Sequence, residues 1–144
     1  MAYLVDTNVL VYRFDPRDAV KQKKASTFLR AGLGSGEVRV PHQALVEFIA
    51  ATTRPLGTDR KVSLLEREEA AREAEEMIVQ FPVLYPTEEV LRLAFQGWRT
   101  YELNWFDAHI WAYAEYYGLS PLYSEDFQHG RLYGRVRAIN PFAE

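Results

Sequence analysis

The sequence predicts an α/β domain: a mostly parallel sheet of five short strands flanked by helices. Three observations carry that expectation. Short apolar runs alternate with amphipathic stretches along the whole chain. No tight hairpin turn is evident between them, which favours crossover connections and a parallel sheet. The 144 residues are 48% hydrophobic and 26% charged, enough for one core. No repeat, low-complexity run or linker divides the chain, so residues 1–144 are expected to form a single domain.

Tyr3-Leu4-Val5 is the first strand, ending at Asp6. Asp18 to Leu33 reads as a helix with Asp18 as N-cap, Ala25, Phe28 and Leu29 inward, and glycines 32, 34 and 36 ending it. Val38 to Val40 is the second strand. Pro41 opens a helix with Leu45, Phe48, Ile49 and Thr52 on one side, stopped by Pro55. After a loop from Leu56 to Val62, Ser63-Leu-Leu-Glu66 has the form of a capping box. The helix it opens has Leu64, Ala71, Ala74, Met77, Ile78 and Phe81 as inward candidates. Pro82 to Tyr85 is a third strand. Thr87 caps the next helix, with Glu88 and Glu89 where the dipole favours acids and Val90, Leu91, Ala94, Phe95 and Trp98 as its apolar side. A helix from Trp105 to Tyr117 closes at Gly118, and Leu122–Ser124 and Val136–Ile139 complete the five strands.

The composition excludes several chemistries. There is no cysteine, hence no disulfide, thiolate metal site or cysteine nucleophile. No segment has the ~18 apolar residues of a membrane span, and the N-terminus lacks a signal-peptide pattern; a soluble cytoplasmic protein is expected. The net charge of −3 does not exclude a nucleic-acid partner. Glu66 to Glu76 alone holds six acids and two bases, which leaves +1 elsewhere. Neither a phosphate-binding Gly-rich loop nor a serine elbow is present. His42, His109 and His129 are scattered, without the pair spacing of a zinc helix, and are expected at the surface or behind other groups.

Four acids stand out. In parallel sheets ligands bind at the carboxyl ends of strands; Asp6 follows the first strand and Asp126 the fourth. Glu47 interrupts an apolar stretch, Ala44 to Ala50, and Asp107 opens an apolar helix. A carboxylate among apolar neighbours is costly unless something binds it. Singly, each has an ordinary alternative: Asp6, Asp107 or Asp126 as a helix cap, Glu47 facing solvent. Together, oxygen donors without cysteine or a histidine pair suit a hard cation, Mg²⁺ or Mn²⁺. Asp15, Asp18 and Asp59 sit in turn-like surroundings and are assigned structural roles.

These residues resemble a known family. Leu4-Val-Asp-Thr-Asn-Val-Leu-Val-Tyr12 is similar to the opening of PIN-domain nucleases, in which an Asp-x-Asn element follows the first strand. Gln43 to Phe48 resembles the family's helix with one inward Glu, Asn104 to Ile110 its Asp-Ala segment, Leu122 to Phe127 its Thr/Ser-x-Asp segment, and Ile139 to Phe142 the ending of one subgroup. The resemblance implies a three-layer fold and a metal-binding quartet of Asp6, Glu47, Asp107 and Asp126. Asn8 and Ser124 would support it. Glu125, beside Asp126, departs from the pattern and competes with Asp126 as fourth acid, although the offset of Asp126 from Ser124 matches the family. The chain's size resembles the VapC-type toxin ribonucleases of toxin–antitoxin pairs. That implies Mg²⁺- or Mn²⁺-dependent hydrolysis of RNA, a cognate antitoxin and a homodimer, the last also suggested by Phe95, Trp98, Tyr101 and Trp105. Arg13, Arg54, Arg131, Arg135 and Arg137 are candidate phosphate contacts.

Two other classes place an acid after the first strand. An aspartyl-phosphate phosphatase wants a second Asp where Asn8 stands, and a receiver domain wants a late lysine, whereas the last is Lys61. A catalytically silent RNA-binding module of the same fold is the remaining alternative, separated from a nuclease by metal-dependent cleavage of RNA.

Overall fold

The computed structural model describes residues 1–58 and 61–144. The elements run β1 (Tyr3–Val5), α1 (Thr7–Tyr12), α2 (Ala19–Ser35), β2 (Val38–Pro41), α3 (His42–Thr53), α4 (Arg67–Gln80), β3 (Val83–Leu84), α5 (Glu88–Tyr101), α6 (Trp105–Tyr117), β4 (Leu122–Tyr123), β5 (Leu132–Tyr133) and β6 (Val136–Ile139). The sheet order is β3-β2-β1-β4-β6-β5, parallel throughout except where β5 pairs antiparallel with β6. The expected α/β architecture is present, but the sheet has six strands, and a hairpin was not expected. Gly134, at φ 61°, supplies its turn.

Side chains alternate across the sheet. Leu4 joins a core with Val90, Ala94, Ile110, Trp111 and Leu122, under α5 and α6. Val5 joins the other, with Val9, Leu10, Leu29, Val40, Phe48 and Met77, under α1 to α4. Two cores around one sheet make the three-layer sandwich. α5 approaches α6 through Gly97: a Cβ there would lie 2.4 Å from the Trp111 ring.

Local details depart from the sequence in instructive ways. Asp18 caps α2 by accepting from the Lys21 amide, and Gly36, at φ 72°, ends it. α4 starts at Arg67 rather than at Ser63, because the Ser63 hydroxyl is engaged with the Leu65 carbonyl while Glu69 reaches back to the Glu66 amide. Its buried residues are Ala70 and Met77; Ile78 is exposed, as is Ala71. On α5 the small residues face in (Val90, Ala94, Gly97), while Leu91, Phe95 and Trp98 are exposed. No helix among the described residues is long and apolar enough to cross a membrane.

Candidate metal centre at the carboxyl edge of the sheet

β1 and β4 are neighbours, with Val5 opposite Tyr123, so the residues after them emerge side by side. Asp6 is 3% exposed. It caps α1 by accepting from the Thr7 amide at 2.6 Å, and its other oxygen accepts from the Ser124 hydroxyl at 2.6 Å. Both readings of Asp6 are therefore true at once: it is a helix cap and it faces the crevice. Asn8, the second residue of α1, bonds Ser124 at 3.2 Å and Asp126 at 3.1 Å through its amide nitrogen. Ser124, fully buried, also accepts from the Asp126 amide at 3.0 Å.

Asp107 arrives from the opposite side. Asn104 caps α6 by accepting from the Asp107 amide, and its own amide nitrogen bonds the Asp107 carboxylate at 2.9 Å. The cap role expected as the ordinary alternative for Asp107 thus belongs to Asn104. Asp6, Asp107 and Asp126 each present a carboxylate oxygen within 4.8 Å of the others. Glu47 stands beside them on α3, held by the Thr7 hydroxyl at 2.6 Å and the Gln43 side chain at 3.2 Å. Glu125 also lines the cleft but is engaged outside the cluster: it pairs with Lys21 at 2.8 Å and accepts from Tyr12 at 2.7 Å.

The crowding has an electrostatic cost. Burial first, then the Asp126 charge, pushes Asp6 up to about 7 despite the hydrogen bond from Ser124. Burial, then Asp126 and Glu47, pushes Asp107 up to about 7 as well. Asp126 is raised by burial and by Glu125 and Glu47, partly offset by Asn8. A cation among acids so arranged would offset their repulsion and favour the ionised forms. The donor set is all oxygen, which fits Mg²⁺ or Mn²⁺ and disfavours zinc.

A cleft of about 650 Å³ opens beside the acids, lined by Asn8, Glu47 and Asp126 and walled by Val46, Ala50 and Phe106. Of the five candidate arginines only Arg54 lines it. Arg135 pairs with Glu115 at 3.3 Å, Arg137 bonds the Gly130 carbonyl, Arg131 lies over the Tyr133 ring and Arg13 over Phe14. Arg54 has no ion pair among the described residues, whereas Arg17, also in the cleft wall, is committed to Asp15 through two bonds of 2.9 Å. That pairing holds the buried Asp15 below its usual range, a structural role for this acid. Asp59 lies outside the described residues. Thr7, Gln43, Lys21 and Phe106 were not singled out from the sequence. Only their spacing to the acids marks them, Gln43 lying one helical turn before Glu47.

His109 is packed between Trp105 and Tyr113, and its Nε2 is buried without a hydrogen-bond partner among the described residues. His42 stands against Tyr85, and His129 accepts from the Asn140 amide.

A model of the PIN domain matches residues 3–134, and the chain belongs to that family. No curated protein matches by sequence. Solved structures with the same fold include a toxin–antitoxin complex from Klebsiella pneumoniae (17% identity, TM-score 0.69, 97% of this chain and 98% of that one). Others are VapBC2 from Rickettsia felis bound to a promoter DNA fragment (11%, 0.69, 96% and 97%) and VapC20 from Mycobacterium tuberculosis, a toxin that cleaves the sarcin–ricin loop (16%, 0.62, 84% and 87%). At these identities the likeness is one of fold.

Proposed function

We propose that the protein is a Mg²⁺- or Mn²⁺-dependent endoribonuclease and the toxin of a type II toxin–antitoxin pair. The observation that carries this reading is the convergence of Asp6, Asp107 and Asp126 from three separate segments, with Glu47 fixed beside them. Membership of the PIN family and the toxin–antitoxin titles of its fold relatives support it. Asp6, Asp107 and Asp126 would hold the ion, and Glu47 completes the anionic quartet at the cleft. Held by these residues, a divalent ion would supply the polarisation of a phosphoryl oxygen and the acidification of a bound water. Ser124 and Asn8 hold Asp6 and Asp126 at a fixed separation. Thr7 and Gln43 leave Glu47 little rotamer freedom, so the site is organised before substrate arrives. Arg54 supplies positive charge for an RNA phosphate. Acting on cellular RNA, the protein would work in the cytoplasm.

EDTA is expected to abolish cleavage of a mixed RNA pool, and Mg²⁺ or Mn²⁺ to restore it; undiminished cleavage in chelator would refute the metal mechanism. RNA binding without cleavage in Mn²⁺ would instead point to the silent module. The exposed Leu91, Phe95 and Trp98 of α5, with Phe95 stacked on Trp105 at 5.4 Å, support a homodimer. Tyr101 contributes to the core instead, against Trp111 and Tyr133. Light scattering at high micromolar concentration should give about twice the 16.7 kDa chain mass; a monomer mass would contradict the dimer.

A further inference from the structure

We propose that Phe106 is the platform on which one unpaired nucleobase, next to the cleaved phosphodiester, is stacked. The inference deepens the nuclease reading above and rests on it. Phe106 is 63% exposed, high for a phenylalanine within a strongly apolar helix. Its ring stacks on no other ring among the described residues, although Trp105 beside it packs against both Phe95 and Trp98. It lines the same cleft as Glu47 and Asp126. It directly precedes Asp107, so its Cα is ~3.8 Å from that of a residue of the acid cluster. Its backbone is fixed, because Gln43, which also holds Glu47, donates to the Phe106 carbonyl at 3.0 Å. The ring is therefore tied to the same residue that positions the quartet. A flat apolar face held beside a phosphate-cleaving site, with Arg54 elsewhere in the cleft wall, suits a base whose own phosphate lies in the site. Stacking demands an unpaired base and tolerates any of the four. The ring thus selects for single-stranded or loop RNA rather than for a sequence at that position.

The test uses a labelled single-stranded oligoribonucleotide and a set in which one abasic site is moved stepwise across the cleavage position. Affinity is measured by fluorescence anisotropy in an Asp6→Asn background, where cleavage is suppressed, and kcat/KM in the otherwise wild-type chain. Phe106→Ala should lose roughly tenfold in affinity and in kcat/KM, and Phe106→Trp should restore both. An abasic site at one position should cost the Phe106-containing protein the same factor and cost the Phe106→Ala variant nothing further, the non-additivity of a direct contact. Since the side chain is largely exposed, melting temperature should not change. Unchanged affinity in Phe106→Ala, or losses that simply add with every abasic position, would overturn the proposal. So would dissociation of a dimer with oligonucleotide affinity intact, which assigns the ring to an interface between copies. A chain that cuts no RNA yet shows the Phe106-dependent loss of affinity refutes the nuclease reading alone, while cleavage without that dependence refutes only the platform.

Discussion

Asp6→Asn is expected to reduce RNA cleavage by a factor on the order of 10² or more, the loss that follows when several kcal/mol of transition-state charge stabilisation disappears. The same variant should fold as well as wild type in chelator, or better. The side chains are nearly isosteric, and Asn is as good an N-cap as Asp. Its oxygen can keep the Thr7 amide. Its nitrogen can donate to the Ser124 hydroxyl once that hydroxyl gives up the bond it accepts from Asn8 at 3.2 Å, which leaves Asn8 its bond to Asp126. One negative charge leaves a cluster whose members repel one another. Stabilisation by Mg²⁺, which reflects binding to the native state, should shrink. If the cap were the whole role of Asp6, stability and cleavage would both stay at wild-type levels; RNA cleavage assays beside thermal melts separate the two cases.

In chelator, wild type should melt several degrees lower at pH 8 than at pH 5, with about 4 °C for each kcal/mol in a domain of this size. Asp6 and Asp107 lie at about 7 in the native state, raised by burial first and by like charge second, against ~4 when unfolded. Between those values the native state keeps protons that the unfolded chain has released. Stability therefore falls as pH rises through this window and levels off above it. His109 works in the opposite direction: burial lowers its pKa, so its contribution to stability rises until pH passes its ordinary value near 6.5. The difference in slope between wild type and Asp6→Asn isolates the acid, and the variant must fall less steeply. Equal slopes would mean that Asp6 is not strained by its neighbours.

Most of the fold was legible because the strand runs are short, apolar and separated by helical periodicity. Asp6 after β1 and Asp126 shortly after β4 were legible as acids at the carboxyl edge of the sheet, while the pairing of β1 with β4 that brings them together came from the fold. α1 was not legible: Thr7–Tyr12 carries Val9, Val11 and Tyr12, which extend a strand pattern as readily as they fill one helical turn. The inward face of α5 misled for a different reason. Large rings at helical spacing look like core, yet close approach to α6 requires the small residues Ala94 and Gly97, the latter against Trp111, and that leaves Phe95 and Trp98 outside. β5 has only two residues and no Asn-Gly turn to announce it. At the site, the acids were visible as charges in apolar surroundings. Their holders were not, since Thr7, Gln43 and Lys21 are unremarkable until the chain folds. The choice between Glu125 and Asp126 depended on Lys21 and Tyr12, more than a hundred residues upstream of Glu125.

The central claim is that Asp6, Asp107 and Asp126 form one divalent-cation site. Calorimetric titration of Mn²⁺ into the chelator-stripped protein at pH 8, above the values near 7 of Asp6 and Asp107, tests it most directly. Wild type should bind Mn²⁺ with saturable heat, and Asp6→Asn should bind at least tenfold more weakly. The absence of saturable binding to wild type, or identical isotherms for the two proteins, would contradict it.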